Sequence, residues 1–191
     1  MTAYPARQLA RLTAPTTEPI SLAEAKLYLR IDHAQDDTLI SDLITTARHM
    51  AEQHLKRSLM TQSWKLTMDG CEHFALDLYG EQIVPLSMGP IASITNIMAV
   101  DREGTSTEVD NSYYRLSATR DAVLMNAGVN GFRIEITYSA GYGDAASVPR
   151  PIKLGLLSHV AALFDGRGLD ADTALPASCL SLYASYREVG L

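Results

Sequence analysis

Cysteine is scarce: the 191-residue chain has two, Cys71 and Cys179. They lie far apart, and neither has a companion at a metal-ligand or redox-motif spacing. Free thiols in a reducing compartment are therefore expected rather than a disulfide framework. Long apolar runs are missing as well. None approaches the roughly 18 residues of a membrane-spanning helix, and residues 1–17, with Arg7 and Arg11 but no continuous apolar stretch, do not read as a signal peptide. Positive charge is in deficit, with 16 Lys and Arg against 22 Asp and Glu and a net charge of −6. Nonspecific affinity for nucleic acid comes mainly from cations neutralising phosphates, so a broad nucleic-acid surface is not expected. Lys56 and Arg57 read as cations at the negative end of a helix.

Catalytic patterns are lacking too. Gly141-Tyr142-Gly143 follows a strand, but it has neither a Gly-Lys-Ser/Thr ending nor GxGxxG spacing, and reads as a connector. Ser178-Cys179 has no nucleophile elbow around it. His49 and His54 are five apart, about 140° around a helix, which is not the i, i+4 zinc spacing. His159 lies in an apolar helix as a core or interface residue, and His33 and His73 fall in turns without companions. Neither a cofactor nor a metal is expected. The one enzyme alternative is a small acid/base or metal-dependent hydrolase built on Asp36 and Asp37. Adjacent carboxylates at a helix start are far more often caps.

What is present is a globular composition, 47% apolar and 20% charged, at a size fitting one domain or one domain with an insertion. The clearest local signal runs from Glu18 to Asp37. Pro19 blocks helix before Ser21. Ser21 and Glu24 have capping-box spacing, and Ile20 can staple against Ala25. This predicts a first helix over Leu22 to about Ile31, with Leu22, Ala25 and Leu29 as its apolar stripe. A second start at Asp36-Asp37, where carboxylates suit the positive helix end, predicts a long helix to about Ser58. Its stripe is Leu39, Ile40, Leu43, Ile44, Ala47, Met50, Ala51, His54 and Leu55, with Asp42, Arg48, Glu52 and Lys56 lying elsewhere.

The pattern then changes to period two. Strands are predicted at 63–69, 82–86, 93–100, 113–116, 122–125 and 132–139, the second at a sheet edge because of Pro85. Helix returns at Pro149 and Pro151. Residues 152–164 are apolar almost all round, predicting a central buried helix that ends at Gly166. After a polar loop over 169–174, Leu175-Pro176 opens a last helical segment with Leu180, Tyr183 and Tyr186 on one side. The expected fold is α+β: a helical bundle built from N- and C-terminal helices, with an inserted antiparallel β-sandwich or barrel-like unit. The expected organisation is a flexible N-terminal arm over 1–17, a helical domain over 18–61 and 149–191, and an inserted β unit over 62–148.

These residues resemble a known family. The run Glu18-Pro19-Ile20-Ser21-Leu22-Ala23-Glu24-Ala25-Lys26, then Leu29-Arg30-Ile31-Asp32 and Asp36-Asp37-Thr38-Leu39-Ile40, is similar to the start of the head–tail connector (adaptor, head-completion) proteins of tailed phages, prophages and gene transfer agents. So are Ala47-Arg48 with Glu52, Leu59 to Trp64, Pro85-Leu86 to Ile94, Tyr138 to Gly143, Pro149 to Lys153, and the closing Leu182 to Arg187. The likeness implies a structural protein without catalysis, located at the neck of a phage-like particle and made in the bacterial cytoplasm. It implies a ring, commonly of twelve copies, that binds the portal protein on one side and tail-side connector or terminator proteins on the other. DNA would pass through the lumen without specific binding, and no membrane is involved. Leu180, Tyr183, Tyr186 and Arg187 are the portal-contact candidates, Tyr and Arg being types enriched at binding hot spots. Arg30, Asp32, Asp36 and Arg48 are the candidates for contacts between subunits. Removing residues 176–191 is expected to abolish portal association while leaving the fold largely intact.

Overall fold

A computed structural model describes residues 6–70, 81–126, 129, 131–166 and 175–187. The fold is α+β. In chain order the elements are β1 (Ala6–Thr13), α1 (Leu22–Leu29), α2 (Asp37–Leu55), β2 (Gln62–Asp69), β3 (Glu81–Pro85), β4 (Ile91–Val100), β5 (Ser106–Glu108), β6 (Tyr114–Leu116), β7 (Ala122–Asn126), β8 (Arg133–Ala140), α3 (Arg150–Asp165) and α4 (Ala177–Tyr183). Short 3-10 turns precede β6 and follow α4. The chain divides into two compact units, with boundaries at 14/15, 60/61 and 141/142. One holds the strands, the other the helices.

In the strand unit, five strands form one antiparallel sheet in the order β1-β2-β8-β4-β5, and three form another in the order β3-β7-β6. Neither sheet closes on itself among the described residues, so the barrel-like alternative is not realised. The alternation read in β8 is the burial pattern: Ile134, Ile136 and Tyr138 are buried while Arg133, Glu135 and Thr137 are half-exposed. Val84 of β3 and Val123 and Met125 of β7 share a core with Leu66, Met68, Ile97, Ile134 and Ile136 of the larger sheet. β3 is an edge strand ending at Pro85, where the missing N–H interrupts no ladder.

Two strands lie outside the sequence reading. Ala6–Thr13 was expected to belong to a flexible arm, but it pairs antiparallel with β2 from Ala6↔Asp69 to Thr13↔Ser63. Its side chains gave no cue, since seven of its eight residues are exposed and only Leu9 is half-buried. Backbone pairing therefore holds it without the alternation that marks a half-buried strand. β5 is three polar residues, all exposed.

In the helical unit, α1 to α4 contribute to one core that includes Ile20, Ala25, Ile40, Ile44, Ala47, Leu55, Ile152, Leu156, Cys179 and Tyr183. α2 ends about three residues earlier than expected. Lys56 takes a left-handed conformation (φ 56°), and the buried Glu52 carboxylate accepts the Leu59 N–H at 2.9 Å, pulling the chain out of helix. α3 is not buried all round: Ile152, Gly155, Leu156, His159 and Val160 face inward, while Leu154 is 47% exposed. Gly166 caps it in a right-handed conformation. The polar loop over 169–174, His73 and Cys71 lie outside the described residues.

Candidate assembly surfaces

The α1–α2 corner is built by reciprocal capping. Ser21 Oγ accepts the Glu24 N–H at 3.2 Å, and Glu24 Oε2 accepts the Ser21 N–H at 2.7 Å. Lys153 of α3 donates to the other Glu24 oxygen at 3.0 Å. The Ser21 backbone bond, helped by Lys153, holds the Glu24 carboxyl below its ordinary pKa. Ile20 and Ala25, the predicted staple, are both buried. Arg30 closes α1 in a left-handed conformation (φ 59°) and is exposed, as is Asp32.

The two carboxylates at the start of α2 separate. Asp36 occupies the cap position but makes no side-chain cap bond; it is half-buried, with its carboxylate 4.0 Å from His33 Nε2. Asp37 reaches back to Lys26 of α1 at 2.5 Å. The expectation that both act as caps is thus corrected: one pairs within the turn and the other ties two helices together. The division also removes the geometry a hydrolase would need, because the carboxylates serve different partners instead of converging. Among the described residues, no three or more His, Cys, Asp or Glu side chains gather as metal ligands.

Arg48, expected at a subunit contact, is instead internal. Its side chain is 4% exposed. Its Nε and Nη2 donate to the two oxygens of Glu18 at 2.6 and 3.0 Å, and its Nη1 donates to Glu52 at 3.3 Å. Thr45 adds a bond to Glu18 at 3.1 Å. Burial alone would weaken the Arg48 charge, but Glu18 and Glu52 outweigh it and raise the guanidinium pKa. This group fastens the chain before α1 to α2 and, through Glu52, fixes the exit of α2. The signal in the sequence was the i, i+4 spacing of Arg48 and Glu52, which a solvated helix face shares.

At the C-terminal segment, the four expected contact residues fall into different environments. Tyr183 is fully buried, so its side chain is not available to a partner. Its ring occupies a notch at Gly155: a methyl on that α-carbon would lie 2.4 Å from Tyr183 Cε1. Its hydroxyl is buried without a partner among the described residues, and burial pushes its pKa far up. Beside it, the Cys179 thiol donates to the Gly155 carbonyl at 3.3 Å. Leu180 (39% exposed) and Arg187 face outward, and Tyr186 is half-buried against the helical core. Burial, together with the Arg187 charge, lowers the pKa of His54 on α2, and the His54 ring lies 6.2 Å from that of Tyr183. The truncation expected to spare the fold would remove Cys179 and Tyr183 from the core.

Sequence reading passed over Leu27 and Tyr28 at the end of α1, which are 81% and 44% exposed. The available signal was that both fall off the Leu22, Ala25, Leu29 stripe.

Residues 19–123 match the family described as phage gp6-like head-tail connector protein. Among solved structures, a chain in the neck of an empty gene transfer agent (GTA) particle computed with C6 symmetry is similar with a TM-score of 0.76 and 21% identity. That alignment covers 96% of this chain and 97% of that one. A chain from the virion of a native gene transfer agent particle has a TM-score of 0.76 and 22% identity, covering 96% of each. A third, from the neck of a native GTA particle computed with C12 symmetry, has 0.68 and 21%, covering 96% and 97%. At these identities the likeness is one of fold. No curated protein sequence matches the chain.

Proposed function

Because the chain belongs to the phage gp6-like head-tail connector protein family, we propose that it is a structural adaptor in the neck of a phage-like particle, forming a ring between portal and tail. The observation that carries this reading is the family match over residues 19–123, spanning the capped helix starts and most of the strand unit. The fold shared with chains of gene-transfer-agent particles, over 96% of this chain, supports it. The chain then acts by shape and surface rather than by chemistry. Its helices form the bundle, and the strand unit is the insertion.

The ring is of twelve copies, in keeping with the C6 and C12 symmetries of the neck structures it resembles. The portal meets the outward part of the C-terminal segment, Leu180, Arg187 and the exposed edge of Tyr186. Neighbouring copies meet at the α1–α2 corner through Arg30, Asp32 and Asp36. Tail-side connector proteins take the opposite face, and DNA passes through the lumen. A net charge of −6 suits a conduit that does not retain DNA.

Surface substitutions test the portal contact better than truncation does. Leu180→Asp with Arg187→Glu is expected to lower co-purification of the portal at least tenfold, with an unchanged melting temperature. Equal recovery of the portal would overturn the docking assignment. Cryo-electron microscopy of particles carrying the chain tests the ring itself.

A further inference from the structure

The five-stranded sheet leaves two strands with an open side among the described residues, β1 at one end and β5 at the other. The two ends differ in charge. β1 carries Arg7 and Arg11, both exposed, and no acid. Neither arginine has an ion-pair partner among the described residues. At the other end, the turn after β4 and the residues through the end of β5 carry Asp101, Glu103, Glu108 and Asp110, all exposed and in no ion pair among the described residues. Arg102, in the same turn, sits over the Phe132 ring at 5.5 Å. Arginine on an edge strand discourages stray pairing whatever the sign of its surroundings. A basic edge opposite an acidic one in the same sheet is a more specific arrangement.

The acidic end is also shaped. Asp101, Thr107, Glu108, Asp110 and Tyr113 border an open groove of about 450 Å³. Two of its carboxylates are held in place: Asp101 by the Thr105 N–H at 2.7 Å, and Asp110 by the Ser112 N–H and hydroxyl at 2.9 and 2.6 Å. Tyr113, 48% exposed, adds a ring of the kind guanidinium groups stack on. Glu108 and Asp110, after burial, raise the pKa of neighbouring Tyr114, which reports the negative field there.

We propose that, in the ring, the β1 edge of one copy seats against the β4–β5 hairpin of the next, with Arg7 and Arg11 facing Glu103, Glu108 and the groove. The occupant is a second copy of this chain, and the inference rests on the ring reading above. The two edges are four strand spacings apart, about 19 Å, so they are different surfaces of one sheet and the contact is heterologous, the kind that closes a ring. Four antiparallel steps separate β1 from β5, so the two run in the same direction and every copy offers the next the same polarity. β5 is only three residues long, so charge pairing rather than a long backbone ladder sets the register.

Charge exchange tests this in cells that make the particle with the full-length chain as the only adaptor. Arg7→Glu with Arg11→Glu, and separately Glu103→Arg with Glu108→Arg, are each expected to lower the adaptor copies per purified particle about tenfold. The four changes combined in one chain are expected to restore copies to within about twofold of the unmodified level. Either reversal assembling normally, or the combination staying as low as the pairs, overturns the proposal. A photo-crosslinking residue at Leu12, 52% exposed on β1, gives a second readout that leaves every charge in place. Capture of residues 101–110 of another copy supports the contact, and capture of only other segments overturns it. If the unmodified chain is itself absent from the neck of purified particles, the ring reading fails and this contact falls with it.

Discussion

Gly155→Ala reads the notch at Tyr183 directly. A helix-interior glycine changed to alanine ordinarily gains up to about 1 kcal/mol. Here the added methyl would lie 2.4 Å from a buried ring carbon, and a buried tyrosine cannot swing aside as an exposed side chain can. The expected outcome is a net loss of about 1–3 kcal/mol in urea denaturation. Tyr183→Phe should be neutral or stabilising by up to about 1 kcal/mol, because the hydroxyl it removes is buried without a partner among the described residues. A loss as large as that for Gly155→Ala would show that the hydroxyl is satisfied in solution. Arg48→Met should cost about 3–5 kcal/mol, since it leaves the buried Glu52 without its opposing charge. Arg48 and Tyr183 are also where the sequence misled most. Arginine and tyrosine are interface residue types, and nothing in one dimension reveals that Glu18, thirty positions back, or Gly155, on another helix, accommodates them.

At the scale of elements, legibility followed how much of the structural cause was local. The capping box of α1, the alternation of β8 and the edge position of β3 each depend on neighbours within a few residues, and each was readable. Ser21→Ala should therefore weaken α1 by about 1 kcal/mol, seen as faster amide exchange across residues 22–29. The exchange of α4 should not change. β1 was not readable, because its pairing lies in backbone groups while every side chain but that of Leu9 remains in solvent. α3 was read as buried all round because its composition is apolar on every side. Which face meets α1, α2 and α4 is decided by their positions, and Leu154 is left outside.

At the scale of the molecule, acid should weaken the fold in two stages. Burial lowers the pKa of His159, which is 1% exposed with neither ring nitrogen paired among the described residues; burial and then Arg187 lower that of His54. A histidine that binds its proton less readily when folded costs nothing at pH values well above 6.5, the unperturbed value. Below it, the unfolded chain takes up the proton first and stability falls by up to about 1.4 kcal/mol per pH unit for each group. Glu24 and Asp121 are shifted down by hydrogen bonds from Ser21 and from Thr119 and Ser117. Their stabilising contribution is present above the unfolded carboxylate pKa of about 4 and is lost as pH falls through their lowered folded values. His159→Leu should flatten the slope between pH 6.5 and 5 in urea denaturation while leaving the later carboxylate stage. An unchanged slope would show that His159 takes up its proton as readily in the folded protein as in the unfolded chain. The α+β class, and the order of helices, strands and helices from α1 onward, were legible at this scale because they follow from period and from the position of the helices. The grouping of residues 6–13 with a strand fifty or more positions away was not.

That grouping sets a schedule for synthesis. β1 leaves the ribosome well before β2, and β2 itself needs β8, its partner from Gln62↔Ala140 to Asp69↔Arg133. At about 5–20 residues per second, the interval between β2 and β8 is several seconds. During that time a strand with an open backbone is exposed to every other nascent chain. Its two arginines, set beside Leu9 and Leu12, keep the strand hydrated and mutually repelling until its own sheet is ready, so the residues that mark one edge of the finished sheet also guard it before it exists.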